Sequence, residues 1–115
     1  MKEAVIVSTA RTPIGKAFRG AFNDTQAQEM AGHAIAEAVK RSKVSKEEID
    51  DVIIGAAGQQ GSQQGNIARQ SLLRAGLPVS VAGMSLDRQC ASGMMAIATA
   101  AKEITEDGMT LTVGG

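Results

Sequence analysis

The one cysteine of this sequence, Cys90, stands in S85-L86-D87-R88-Q89-C90-A91-S92-G93, where an apolar run gives way to small, helix-forming residues. A thiol at such a junction has two possible uses. Free cysteine is among the most buried residue types and often serves as a small hydrophobe. At a helix start, however, the first four N–H groups have no intrahelical acceptor. The helix dipole there favours an anion by up to about 2 kcal/mol in a partly buried setting. Arg88 would add to this effect and the Asp87 carboxylate would oppose it. The junction therefore suits a thiolate nucleophile, but it supplies no group to carry the proton that turnover requires.

The only histidine, His33, does not fill that role. On a helical wheel the apolar stripe of its segment runs through Ala31, Ala34, Ile35 and Ala38, and His33 falls nearly opposite, on the solvent face. Any general base for Cys90 is expected from outside these residues. The loop from Gly55 to Asn66 is rich in Gly and Gln but fits neither phosphate-binding glycine pattern, so it reads as a polar connection or subunit contact. Glu47, Glu48, Asp50 and Asp51 read as a solvated charged turn, and no Cys/His spacing suggests a metal site. Met94 and Met95, one turn beyond Cys90, read as core packing rather than an acyl-chain pocket.

Strands and helices must position the thiol, and they alternate along the chain. Ala4–Val7 is a short apolar run suited to a buried strand, followed by a loop from Thr9 to Gly20. A helix is predicted from a Thr25/Gln28 capping box through Val39, with Lys40 and Arg41 in its last turn. Ser45 and Glu48 cap a brief turn before a second strand at Asp51–Ile54. Asn66–Ala75 reads as a helix stopped by Gly76 and Pro78, Val79–Leu86 as a third strand, and Ala91 to about Glu106 as a third helix. An Asp107-Gly108 turn then leads to a fourth strand over Met109–Val113. This order predicts an α/β layered fold with a mainly parallel sheet. The third helix is apolar or small at nearly every position from Ala91 to Ala101, so it is expected to be covered on every side. A chain of 115 residues has little material for that second layer.

Composition narrows the function classes. With 43% apolar residues and twelve charges of each sign, this is an ordinary globular chain. Its zero net charge gives no reason to expect nucleic acid or an anionic membrane as partner. The apolar run at the N-terminus is too short for a secretion signal, no run approaches a membrane span, and a single cysteine suits a reducing compartment. A cytoplasmic location is the expectation.

Several segments together resemble one known family. Asp87-Arg88-Gln89-Cys90-Ala91-Ser92-Gly93 is similar to the nucleophile motif of the thiolases, usually N-R-Q-C, then Ala or Ser, then S-G. Ile6–Gly15 resembles their first strand and R-T-P-I-G loop, Asp50–Gly55 their second strand, Gly65-Asn66-Ile67-Ala68-Arg69-Gln70 a helix start, and Val113-Gly114-Gly115 the beginning of a G-G-x-E-S-M segment. These occur in family order across essentially the whole chain. Asp87 departs from the family's Asn and places a negative charge three residues before the thiol.

The resemblance implies that residues 1–115 are an incomplete N-terminal domain of a thiolase-like layered fold, in which the third helix lies between two halves. It implies that Cys90 forms a covalent acyl-enzyme, with coenzyme A thioesters as substrates and no further cofactor. The reaction would be 3-ketoacyl-CoA cleavage or acetyl-CoA condensation, in a homodimer or homotetramer. The family's G-H-P-x-G histidine segment and C-x-G-G-G cysteine segment do not occur in these residues, so the isolated chain is expected to be inactive. Two other readings stand beside this one: a ketoacyl-synthase-like condensing enzyme, and a non-catalytic fragment or partner-dependent subunit.

Overall fold

The computed structural model describes residues 2–115 and shows a parallel sheet with helices on both faces. The sheet has three strands, β1 (Asp51–Gly55), β2 (Ala82–Leu86) and β3 (Thr112–Gly114), in the order β2-β1-β3. In the registers, Ile53 lies opposite Met84 on one side and Gly114 on the other. Helix α1 (Ala27–Ser42) precedes β1, α2 (Ile67–Arg74) joins β1 to β2, and α3 (Ser92–Thr105) joins β2 to β3. The predicted α/β class and parallel sheet are those observed.

Alternation along β1 sorts the core into two layers. Val52 and Ile54 face α1 and α2, where they pack with Ile35, Ile49, Leu72, Leu77 and Val81. Ile53 faces α3 and packs with Ala96, Ala100 and Leu86. Close approach on each face depends on residues without a side chain. A Cβ on Gly83 would stand 2.9 Å from the Arg69 nitrogen in α2, and one on Gly114 would stand 2.9 Å from the Ala96 oxygen in α3. This explains how a chain with two Phe and no Trp or Tyr builds a core: backbones come near enough for Ala, Ile and Val to fill the space.

Four sequence expectations are corrected. Ala4–Val7 joins no strand among the described residues, and Val5, Ile6 and Val7 are 71%, 76% and 62% exposed. Just beyond it, the Ser8 hydroxyl donates to the Ala38 carbonyl of α1, and Arg41 of α1 donates to the Thr9 carbonyl. The Thr25/Gln28 capping box does not form: Gln26 is the residue before α1, and Ser62 of the glycine- and glutamine-rich loop accepts from the Ala27 N–H. The third strand begins at Ala82 rather than Val79, because Pro78–Val81 closes a turn with Val81 N–H donating to the Pro78 carbonyl. The fourth begins at Thr112 rather than Met109, because the Thr110 and Leu111 N–H groups donate to the Asp50 carboxylate.

Helix α3 is covered on one side. Ser92, Ala96, Ala100 and Glu103 are buried against the sheet, whereas Met94 is 77% exposed and Ile97 is also exposed. The expectation of cover on every side is met within these residues only on the sheet face, and Met94 is a surface residue rather than core. No helix of the described residues is long and apolar enough to cross a membrane.

Candidate active site

Because the strands are parallel, their C-terminal ends gather at one edge: Gly55 N–H donates to the Gly115 carbonyl, and Ala56 N–H to that of Leu86. The carboxyl edge of an open parallel sheet is where ligands of α/β proteins sit. The turn from β2 to α3 leaves this edge and carries Asp87, Arg88, Gln89, Cys90 and Ala91. Cys90 lies two residues before the first residue of α3, and its thiol is free and exposed. Burial as a space-filler, the alternative use of a lone cysteine, does not describe it in this chain.

The turn is tight, and one residue absorbs its curvature. Gln89 has φ 49°, in the left-handed region. Left-handed backbone costs a residue with a side chain roughly 1–2 kcal/mol, so neighbouring groups must hold it. On one side the Asp87 carboxylate accepts from the Gln89 main-chain N–H at 2.8 Å and from its side-chain amide at 3.2 Å. On the other the Ser92 hydroxyl donates to the Gln89 carbonyl at 2.6 Å and accepts from the Arg88 N–H at 2.9 Å. The Ala91 and Ser92 N–H groups close the turn onto the Arg88 and Gln89 carbonyls. These bonds use the N–H groups of Arg88, Gln89, Ala91 and Ser92 and leave out that of Cys90. The arrangement presents a thiol and an adjacent N–H at a helix start, which is the pairing that attack on a carbonyl and stabilisation of the resulting oxyanion require.

Arg88 makes no ion pair with Asp87; among the described residues the ion pairs are Arg41–Glu37 and Arg74–Glu29. The Asp87 carboxylate is met by the amide donors of Gln89 rather than by a cation among the described residues. His33 is exposed on α1, and α1 and α3 lie on opposite faces of the sheet, so these residues bring no imidazole to Cys90. A recess of about 320 Å³ is lined by Thr12, Pro13, Lys16, Phe22, Asn23 and Met30, and no residue of the Cys90 turn contributes to it.

A second group of titratable residues escaped the sequence reading. Asp51, expected in a solvated turn, is 8% exposed at the start of β1, and Glu103 near the end of α3 is likewise 8% exposed. Burial first, then the neighbouring Asp51 and Asp107 charges, push the Glu103 carboxyl up to about 7. Asp51 is raised as well, chiefly by burial. Asp50 moves the other way, lowered by the N–H groups of Thr110 and Leu111. This cluster sits at the amino ends of the strands, across the sheet from Cys90. No sequence signal links Asp51 to Glu103, because only the packing of α3 on β1 brings them together.

Comparison with known proteins bears on the whole chain. Residues 4–115 match the family described as "Thiolase, N-terminal domain". The chain is 39% identical over 115 residues to a protein of Bacillus subtilis named "3-ketoacyl-CoA thiolase", covering 100% of this chain and 29% of that protein. It is 42% identical over 117 residues to "3-oxoadipyl-CoA/3-oxo-5,6-dehydrosuberyl-CoA thiolase" of Escherichia coli, again 100% of this chain and 29% of the relative. To "Acetyl-CoA acetyltransferase" of Escherichia coli it is 38% identical over 116 residues, with 100% and 29% covered. The chain thus spans less than a third of the length of these relatives.

Proposed function

This chain belongs to the thiolase family, and we propose that residues 1–115 form part of its N-terminal domain and that Cys90 is the nucleophile of an acyl-CoA C-acyltransferase. The single observation that supports this most is the exposed thiol of Cys90 on a left-handed turn at the carboxyl edge of the sheet, directly before α3. The Cys90 sulfur, as thiolate, adds to the thioester carbonyl of an acyl-CoA. The tetrahedral oxyanion collapses, the carbon–sulfur bond to coenzyme A breaks, and coenzyme A leaves as thiolate and takes up a proton. The Cys90 N–H is one donor for the oxyanion.

In condensation the acyl group then passes from Cys90 to the α-carbon of acetyl-CoA, which loses a proton. In cleavage the Cys90 sulfur adds instead to the 3-keto carbonyl of a 3-ketoacyl-CoA, the C2–C3 bond breaks, acetyl-CoA leaves as its enolate and takes up a proton, and the acyl group passes from Cys90 to a second coenzyme A. The groups that move protons in these steps are assigned to sequence outside residues 1–115, since His33 faces solvent on the far layer. The 115 residues alone are accordingly inactive in turnover. Coenzyme A thioesters are substrates and no separate cofactor is invoked; the whole enzyme is a cytoplasmic homodimer or homotetramer.

The test is to incubate the protein that carries this chain with acetyl-CoA and to map the adduct by peptide mass spectrometry. An acetyl group on Cys90, absent in Cys90→Ser, is the expected result. A label on another residue, or none at all under turnover, overturns the assignment.

A further inference from the structure

We propose that Asp87 is a positioning residue, whose carboxylate holds Gln89 in its left-handed conformation and thereby fixes Cys90 at the start of α3. One carboxylate takes both donors of a single residue. Oδ1 accepts from the Gln89 main-chain N–H at 2.8 Å, and the Gln89 side-chain amide folds back to Oδ1 and Oδ2 at 3.2 Å each. The opposite side of the same residue is held by Ser92, which is buried beneath Gly55. The two holds differ in kind. Ser92 is locked by packing, whereas Asp87 is exposed and acts through hydrogen bonds alone.

The absence of a cation on Asp87 sharpens this assignment. A carboxylate close to a nucleophilic sulfur opposes formation of the thiolate. Asp87 holds the turn through its acceptor oxygens, and its charge is a separate variable that the test must keep fixed. A side chain that keeps an acceptor without the charge separates the two effects. A glycine at position 89 removes the need for the acceptor, because glycine enters the left-handed region freely. The role in acyl transfer rests on the reading of Cys90 as nucleophile, and the role in holding the turn does not.

The experiment compares Asp87→Asn, Asp87→Ala and the double variant Asp87→Ala/Gln89→Gly in the protein that carries this chain. The rate of Cys90 alkylation by iodoacetamide at one fixed pH is followed by peptide mass spectrometry, with circular dichroism as a folding check. Asp87→Asn and Asp87→Ala both lack the charge, so their ratio reads the acceptor alone. Alkylation of Asp87→Asn is expected to be about tenfold faster than that of Asp87→Ala, as the population of the competent turn falls in the latter. Gln89→Gly in the Asp87→Ala background closes most of that gap.

Equal rates for Asp87→Asn and Asp87→Ala, or a gap that glycine leaves unchanged, overturn the proposal. Should Asp87→Ala not fold, a folded and reactive double variant supports the clamp and an unfolded one overturns it. Acetylation of Cys90 by acetyl-CoA is measured in parallel on the same variants. If the parent protein takes no acetyl group while the alkylation order holds, the acyltransferase reading fails and the clamp stands.

Discussion

Gly55, the last residue of β1, lies so close to the Ser92 carbonyl that a Cβ on residue 55 would stand 2.1 Å from that oxygen. The first turn of α3 thus rests directly on the sheet edge, and the height of Cys90 above that edge follows from the missing side chain. Gly55→Ala forces the helix start outward. We expect a loss of about 1–3 kcal/mol, typical of overpacking, together with slower Cys90 alkylation. Urea denaturation and thiol-reactivity kinetics on the same sample check both parts.

Ser92 is buried and bridges Arg88 N–H and the Gln89 carbonyl with one hydroxyl. Ser92→Ala leaves the Arg88 donor without its partner, at a cost of about 1–3 kcal/mol. Ser92→Thr keeps the hydroxyl but adds a methyl group beside Gly55, so it recovers only part of the loss. Denaturation midpoints rank the three proteins in the order Ser, Thr, Ala.

Asn66 joins α2 to β2. Its Oδ1 accepts from the Arg69 N–H and the Ser85 hydroxyl, while its Nδ2 donates to the Gly83 carbonyl. Asn66→Ala is expected to cost about 1–2 kcal/mol. Asn66→Asp retains the helix cap but loses the donor to Gly83, and its stability falls between the two. Hydrogen exchange at the α2 amides locates the effect at that helix.

The Asp51–Glu103 pair gives stability a pH dependence whose sign is fixed by the direction of the shift. Glu103 titrates near about 7 in the fold, above the 4.5 of an unperturbed side chain. The folded form therefore keeps a proton that the unfolded chain releases, and the contribution is fully present below the unfolded value and lost as pH rises through about 7. Glu103→Gln removes the titration. We expect it to be more stable than the parent at pH 8 by on the order of 1–2 kcal/mol, with the difference shrinking toward pH 5. Thermal melts across that range measure it, and a constant difference at every pH contradicts the assignment.

The helices were legible because their signals are local. Asn66 at the head of α2, the Gly76 and Pro78 stops, and the three- and four-residue steps of α1 each act within a few residues. Cys90 was legible as a junction residue for the same reason. The left-handed turn at Gln89 was not, since nothing in the residue type Gln favours positive φ; it arises from bonds to Asp87 and Ser92 on either side. Ala4–Val7 has the composition of a buried strand, yet a strand also needs a partner edge, and composition says nothing about that partner. The acidic run before β1 divided in the same way. Asp50 caps the lead into β3 and Asp51 is buried under α3, distinctions that depend on which face of the sheet each residue takes.

The unpaired Val5-Ile6-Val7 stretch has a practical consequence for anyone who handles the chain. Its β-branched residues lie in the open beside main-chain donors and acceptors that join no sheet, which is a template for strand addition by a second molecule. Lys2 and Glu3 on one side and Arg11 and Pro13 on the other serve as gatekeepers that limit how far such pairing can spread. A charge introduced at Ile6 is expected to weaken such pairing, and the light scattering of concentrated samples of the two proteins measures the difference.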